Sequence, residues 1–123
     1  CKNQIKKGRA GSREIIKNLI KGKSIALMID QRVREGEKVK FFNNLATTTT
    51  IPAQLVKKYK CELVPIYIER KKSNYFKIYI SKPIKVSKTK SILEITEFLN
   101  QVLENMILKN VDQWIWTHDR WKS

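Results

Sequence analysis

Behind Ser91-Ile92-Leu93-Glu94, the residues Ile95, Phe98, Leu99, Val102, Leu103, Met106 and Ile107 recur at alternating steps of three and one. That spacing puts them all on one face of a single helix. Ser91 and Glu94 also match a capping box, in which the hydroxyl and the carboxylate each accept from the other residue's backbone N–H, so the start of the helix is set along with its inner side. A stripe this regular reads as core packing rather than as a lipid-binding surface.

The residues upstream give the chain its α/β character. Ser12 can cap a helix carrying Ile15, Ile16, Leu19 and Ile20, with Gly22 ending it. Ser24-Ile25-Ala26-Leu27-Met28-Ile29 is a short apolar run bounded by Gly22 and Asp30, the pattern of a strand buried on both faces in a mainly parallel sheet. A carboxylate at the C-terminal end of such a strand sits where open α/β sheets hold their ligands, which singles out Asp30. Residues 30–50 are expected to form a long connection, and long loops inside compact domains are commonly functional. Pro52 suits the first position of a helix running to about Tyr59, with Thr50 or Ile51 just before it. Residues 62–69 read as a second strand, with Pro65 marking a bulge or an edge. After a turn at 70–74 the chain resumes in β from Tyr75 to Ile80, with Phe76, Ile78 and Ile80 expected on one buried apolar face.

Charge narrows the partners without choosing one. The formal net charge of +15, from 26 Lys and Arg against 11 Asp and Glu, produces a field that attracts nucleic acid, anionic lipid headgroups and phosphorylated substrates alike. Cys1 and Cys61 lie far apart with no C-x-x-C spacing, and His118 has only Asp119 beside it, so no metal and no cofactor are assigned. No G-x-S-x-G elbow and no glycine-rich phosphate loop occurs, so local motifs alone do not make the chain a complete enzyme. No apolar run approaches the ~20 residues needed to span a bilayer. What remains is Asp30-Gln31 followed by Arg32 and Arg34, the hydroxyl-rich run Thr47 to Thr50, and Arg70 at the end of the next strand. These would converge on a phosphate-sized site if the two strands were parallel neighbours. All three tryptophans fall between Trp114 and Trp121. Beside Arg120 and Lys122, that density suits a packed C-terminal cap with Arg stacked on a ring, or an interface with a membrane or partner.

A resemblance joins these pieces. Asp30-Gln31-Arg32, Glu35-Gly36, Val39-x-Phe41-Phe42, Ala46-Thr47, Pro52-Ala53, Val64-Pro65, Glu69-Arg70 and the closing Gln113-Trp114-x-Trp116-x-His118-x-Arg120-Trp121-Lys122 resemble, in order, the C-terminal half of bacterial lipid A late acyltransferases of the lauroyl/myristoyl type. The resemblance implies a partial glycerolipid-acyltransferase-like sheet flanked by helices, with a C-terminal amphipathic helix and a Trp-rich cap. Residues 1–123 would be the C-terminal portion of one acyltransferase domain, with a membrane anchor and a His-x4-Asp/Glu catalytic motif upstream. It further implies acyl transfer from acyl carrier protein to a hydroxyl of a lipid A precursor, at the cytoplasmic face of the inner membrane. Asp30, Gln31 and Thr47 would wall the active site, and Arg32 and Arg70 would contact anions. Trp114, Trp116, His118, Arg120 and Trp121 would form a structural signature, with His118 a hydrogen-bonded cap residue and not the base. Lys40, Asn43, Val111 and Asp119 depart from the family's usual Pro, Gly, Pro and basic residue.

A second class of function is a non-catalytic basic module for nucleic acid or anionic lipid. A single-strand binder needs exposed aromatics on a basic sheet face, whereas Phe76, Ile78 and Ile80 are expected to be buried, so no nucleic-acid partner is assigned. If upstream strands complete the domain, these residues alone should leave an apolar sheet edge and a helix face uncovered.

Overall fold

A computed structural model describes residues 3–6, 8–87 and 89–122. Along the chain run α1 (Arg9–Ile20), β1 (Glu37–Phe41), β2 (Asn44–Thr48), α2 (Ile51–Tyr59), β3 (Ile66–Arg70), β4 (Phe76–Ile80) and α3 (Ile92–Ile107), then single 3-10 turns at Val111–Gln113 and Trp116–His118. The result is an α/β arrangement of three helices and two small sheets, β1–β2 and β3–β4. Both pairings are antiparallel, so the expected parallel pairing does not occur among the described residues.

Helix α3 organises the rest. Its capping box forms as expected: the Glu94 N–H donates to Ser91 Oγ at 3.2 Å, and the Ser91 N–H donates to Glu94 Oε2 at 2.7 Å. Along its N-terminal half, Ile95 and Leu99 bury against Ala53 of α2, with Ile29, Val56, Leu63, Ile84 and Val86 around them. Along its C-terminal half, Ile107 joins Phe41 and Ala46 of the first hairpin, flanked by Phe42, Leu103, Trp114 and Trp121. One helix therefore serves two separate clusters.

Four expectations change. Helix α1 begins a turn before Ser12, because Gly8 at φ 105° admits the chain into the helix at Arg9, and the Ser12 N–H bonds back to the Gly8 carbonyl at 3.0 Å. The run Ser24–Ile29 is not a strand: no neighbour pairs with its backbone among the described residues, Met28 is 75% exposed, and only Ile29 reaches a core. Residues 30–50 are not one loop. Their second half is a hairpin whose two turn residues, Phe42 (φ 48°) and Asn43 (φ 62°), both sit at positive φ as in a type I′ turn. The Phe42 N–H donates to Glu104 Oε1 of α3 at 2.7 Å, which anchors a conformation unusual for an aromatic residue.

The fourth change concerns β3–β4. The strand begins just after Pro65, and its register sets Ile66 opposite Ile80, Ile68 opposite Ile78 and Arg70 opposite Phe76. Directly opposed residues share a face. That face is open: Ile78 is 59% exposed, and Ile66, Ile68, Phe76 and Ile80 are exposed with it. The other face carries Tyr67, Glu69 and Tyr79, which meet Asn110 just beyond α3: Asn110 Nδ2 donates to the Tyr67 hydroxyl at 2.9 Å and to Glu69 Oε1 at 3.0 Å. The hairpin is thus tethered through its polar side, and alternation alone could not tell which side would be covered.

Candidate functional site

The residues singled out from sequence gather where the C-terminal tail closes over the β1–β2 hairpin. Phe41, fully buried, lies in the middle, with Trp114 edge-on at 5.7 Å between ring centroids, Trp121 at 5.5 Å and Phe42 at 4.9 Å. Trp116 packs edge-on against Trp114 at 4.6 Å and stacks over Trp121 at 6.5 Å. Two of the three indoles spend their N–H on backbone: Trp121 Nε1 donates to the Phe41 carbonyl at 3.0 Å, and Trp116 Nε1, on an exposed ring, donates to the Val111 carbonyl at 2.7 Å.

Arg120 is the charged centre of this closure. It is 1% exposed, and its guanidinium lies 5.4 Å from the Phe41 ring centroid. Nη1 donates to the Thr47 carbonyl at 2.5 Å and Nη2 to Thr48 Oγ1 at 2.8 Å. Thr48, itself buried, accepts a second bond from Asn100 Nδ2 at 3.2 Å and donates to the Ala46 carbonyl at 3.1 Å. Asn100 Nδ2 also donates to the Lys40 carbonyl at 2.8 Å, so the Thr48 hydroxyl joins α3, β2 and the tail, and Asn100 brings in β1. Among the described residues, Arg120 Nε and Asn100 Oδ1 are buried without a partner. Burial holds the Arg120 guanidinium below its ordinary pKa, and the negative charge of Asp30 offsets only part of that.

The remaining nominated residues divide. Asp30 is half-buried with its charge felt at Arg120, Gln31 is exposed beside it, and Arg32 Nη1 donates to the Lys122 carbonyl at 3.2 Å. Thr47 contributes its carbonyl to Arg120. Arg32 and Thr47 thus both bond to the tail, and Asp30 acts on it through its charge. Arg70 does not join their hydrogen bonds. It ends β3, where its peptide N–H donates to Gln113 Oε1 at 2.9 Å and its carbonyl accepts from Gln113 Nε2 at 3.0 Å, while its guanidinium covers the Phe76 ring at 5.2 Å. The convergence expected for Arg70 depended on parallel strands, and β3 pairs antiparallel with β4 instead. His118 is exposed in its 3-10 turn. Its backbone N–H bonds to the Ile115 carbonyl at 3.2 Å, but its imidazole makes no hydrogen bond among the described residues, so it is not the hydrogen-bonded cap expected.

Asn100 and Glu104 carry roles that the sequence reading passed over, and Thr48 and Gln113, named there only within a run and a motif, carry specific ones. A signal for Asn100 was present: Thr96, Asn100, Leu103 and Ile107 lie at helical spacing on the α3 face that meets the hairpin. Gly36 also has a steric role. A Cβ there would stand 2.3 Å from the Thr48 carbonyl oxygen, so the segment after Arg34 approaches β2 more closely than any side chain allows. No three His, Cys, Asp or Glu side chains among the described residues could share a metal ion, and no described helix is long and apolar enough to cross a membrane.

The family model for bacterial lipid A biosynthesis acyltransferases matches residues 3–123, so the chain belongs to that family, whose members have an acyltransferase role in lipid A and lipopolysaccharide biosynthesis. Comparison with curated proteins gives no match.

Proposed function

We propose that the intact protein containing this chain transfers a fatty acyl group from an acyl carrier protein thioester to a hydroxyl on a lipid A precursor, at the cytoplasmic face of the inner membrane. In this reading the chain is the C-terminal portion of a glycerolipid-acyltransferase-like domain, and a His-x4-Asp/Glu pair outside it supplies the base. The observation that carries the reading is the family match over residues 3–123. The gathering of Asp30, Arg32 and Thr47 at the tail supports the active-site wall in particular.

The chemistry assigns the parts. An alcohol becomes a competent nucleophile when a base removes its proton, and histidine held by a carboxylate has suitable proton affinity near neutrality. The alkoxide oxygen attacks the thioester carbon, the C–S bond breaks from the tetrahedral intermediate, and the proton passes to the leaving thiolate. Asp30, Gln31 and Thr47 would border the acceptor. Arg32, with one Nη spent on Lys122 and the rest of its fork free of described bonds, would contact a phosphate. Arg70, engaged with Gln113 and Phe76 on the second hairpin, would serve a separate anion contact. A net charge of +15 attracts both an acidic carrier protein and a phosphorylated lipid.

Exposure of the β3–β4 face reopens the single-strand-binding alternative, since that reading requires exposed aromatics on a basic sheet face. The face is chiefly isoleucine, and its one aromatic ring, Phe76, already carries Arg70. Aliphatic side chains offer bases no stacking platform, so the acyl-transfer reading is the better supported.

The test incubates membranes containing the intact protein with acyl-loaded carrier protein and a lipid A precursor, and reads the lipid's mass. An added acyl mass, absent from membranes without the protein, is expected. No added mass from folded protein overturns the reading.

A further inference from the structure

The apolar stripe of α3 is wider than the two core clusters need. Ile95 and Leu99 serve one cluster and Leu103 and Ile107 the other, while Val102 and Met106 stand outside both and remain half-buried. They form the floor of a groove between α3 and the base of the second hairpin, completed by Pro65 and Ile84. The hairpin side of this groove is braced. The Ser81 N–H donates to the Pro65 carbonyl at 3.0 Å and the Ile84 N–H to the Leu63 carbonyl at 2.8 Å, and Leu63 and Ile84 pack on the α2–α3 cluster. Lys82 and Lys109, both exposed, stand in the lining, and no acid does. Neither ammonium makes a hydrogen bond or an ion pair among the described residues, and Lys109 Nζ only overlies the Tyr67 ring at 5.6 Å.

We propose that this groove docks an acidic, amphipathic segment of a partner protein, with an apolar anchor on its floor and carboxylates at Lys82 and Lys109. The groove holds about 260 Å³ and lies open to solvent. Pockets that enclose small molecules begin at ~300 Å³, so this one suits a side chain or two presented by a larger body. Methionine repacks around anchors of different shape, which fits Met106 to a protein surface. Two exposed ammonium groups act as point charges, not as the planar forks that grip a phosphate, and at a rim they steer an acidic partner and set its register. The site is also concave, whereas a bilayer is engaged by apolar side chains that protrude into the headgroup region. On the acyl-transfer reading the partner is the acyl carrier protein. That identification rests on the reading, while the character of the groove does not.

The test has two arms on the intact protein. The first titrates it, in detergent, with acyl carrier protein and reads Kd at low and high salt. The double variant Lys82→Glu/Lys109→Glu is expected to raise Kd about tenfold or more and to flatten its salt dependence, since rim charges govern both. Lys21→Glu/Lys23→Glu changes the net charge equally at the end of α1, outside the groove lining, and should leave Kd within about twofold. Met106→Gln keeps the charge and removes the apolar floor, so it should raise Kd about fivefold with the salt dependence unchanged. Equal weakening by the two charge reversals would mean that only the overall field attracts the carrier, and it overturns the proposal. So does a carrier that fails to bind the wild type, or one indifferent to the groove variants. If Met106→Gln does not fold, the two exposed lysines still decide the matter.

The second arm measures acyl transfer. Lys82→Glu/Lys109→Glu should raise KM for the acyl-loaded carrier about tenfold while kcat and the KM for the lipid A precursor stay nearly unchanged, as loss of uniform binding does. A rise in KM for the lipid with the carrier's KM unchanged would assign the groove to the lipid and overturn the proposal. If the wild-type protein binds the carrier but transfers no acyl group, the acyl-transfer reading fails while the docking groove stands on the first arm.

Discussion

The two hairpins are built alike and finished differently. Each has two five-residue antiparallel strands, and each alternates apolar with polar side chains. In β1–β2 the apolar side chains Val39, Phe41 and Ala46 point inward under α3 and the tryptophans, leaving Lys38 and Lys40 outside. In β3–β4 the order is inverted: tyrosines and Glu69 face the body of the chain, and the isoleucines face away. Period two in a sequence says which residues share a face, and only the neighbours say which face is sealed.

The contrast can be broken by mutation. Phe41→Ala should cost most, about 3–5 kcal/mol by urea denaturation, because it empties the centre of the tail junction. A loss below ~1 kcal/mol would mean that the hairpin is not sealed as described. Thr48→Val keeps the shape but strands Arg120 Nη2 and one of the two Asn100 Nδ2 hydrogens, the other staying on the Lys40 carbonyl, and about 2–3 kcal/mol is expected. Gly36→Ala should cost roughly 2 kcal/mol, since the Thr48 peptide must retreat from the new methyl.

At the cap of α3, Ser91→Ala should cost about 1 kcal/mol. The Glu94 carboxyl is held below its ordinary pKa, first by the Ser91 backbone N–H and then by the Ser91 side chain. Its contribution is therefore fully present above the unfolded value and is lost as pH falls through the lower folded one. Glu94→Gln should flatten that acid limb in pH-dependent thermal melts, and an unchanged slope would remove Glu94 from the account. Smallest of all should be Ile78→Thr on the open face, within about 0.5 kcal/mol. A cost of Phe41's size would show that something covers β3–β4 in the intact protein.

Legibility in the sequence followed the range of the forces. Helix α3 was readable in full because its stripe and capping box are both local, and α2 followed from Pro52. The β1–β2 hairpin was hidden by its turn, since Phe42-Asn43 has none of the glycine that ordinarily announces positive φ, although Lys38-Val39-Lys40-Phe41 already alternated. At the candidate site, Asp30, Arg32 and Thr47 were named one by one from strand-end position and resemblance. Their connection through Arg120 and Lys122 was not readable, because it spans 73 residues to Thr47 and 90 to Arg32. Arg70 was grouped with them on an assumed parallel pairing, and Gln113 holds it elsewhere.

The closing of the tail also sets an order in time. Trp121 reaches back 80 residues to Phe41, and Arg120 reaches back 72 to the Thr48 hydroxyl. During synthesis the first hairpin therefore emerges, and α3 after it, while Phe41 still lacks its indole neighbours and Thr48 its arginine. Contacts of such long sequence separation form late and slowly. A nascent chain would hold a sticky, half-finished surface until residues 114–122 arrive, a window in which a chaperone would find Phe41 before the tryptophans do.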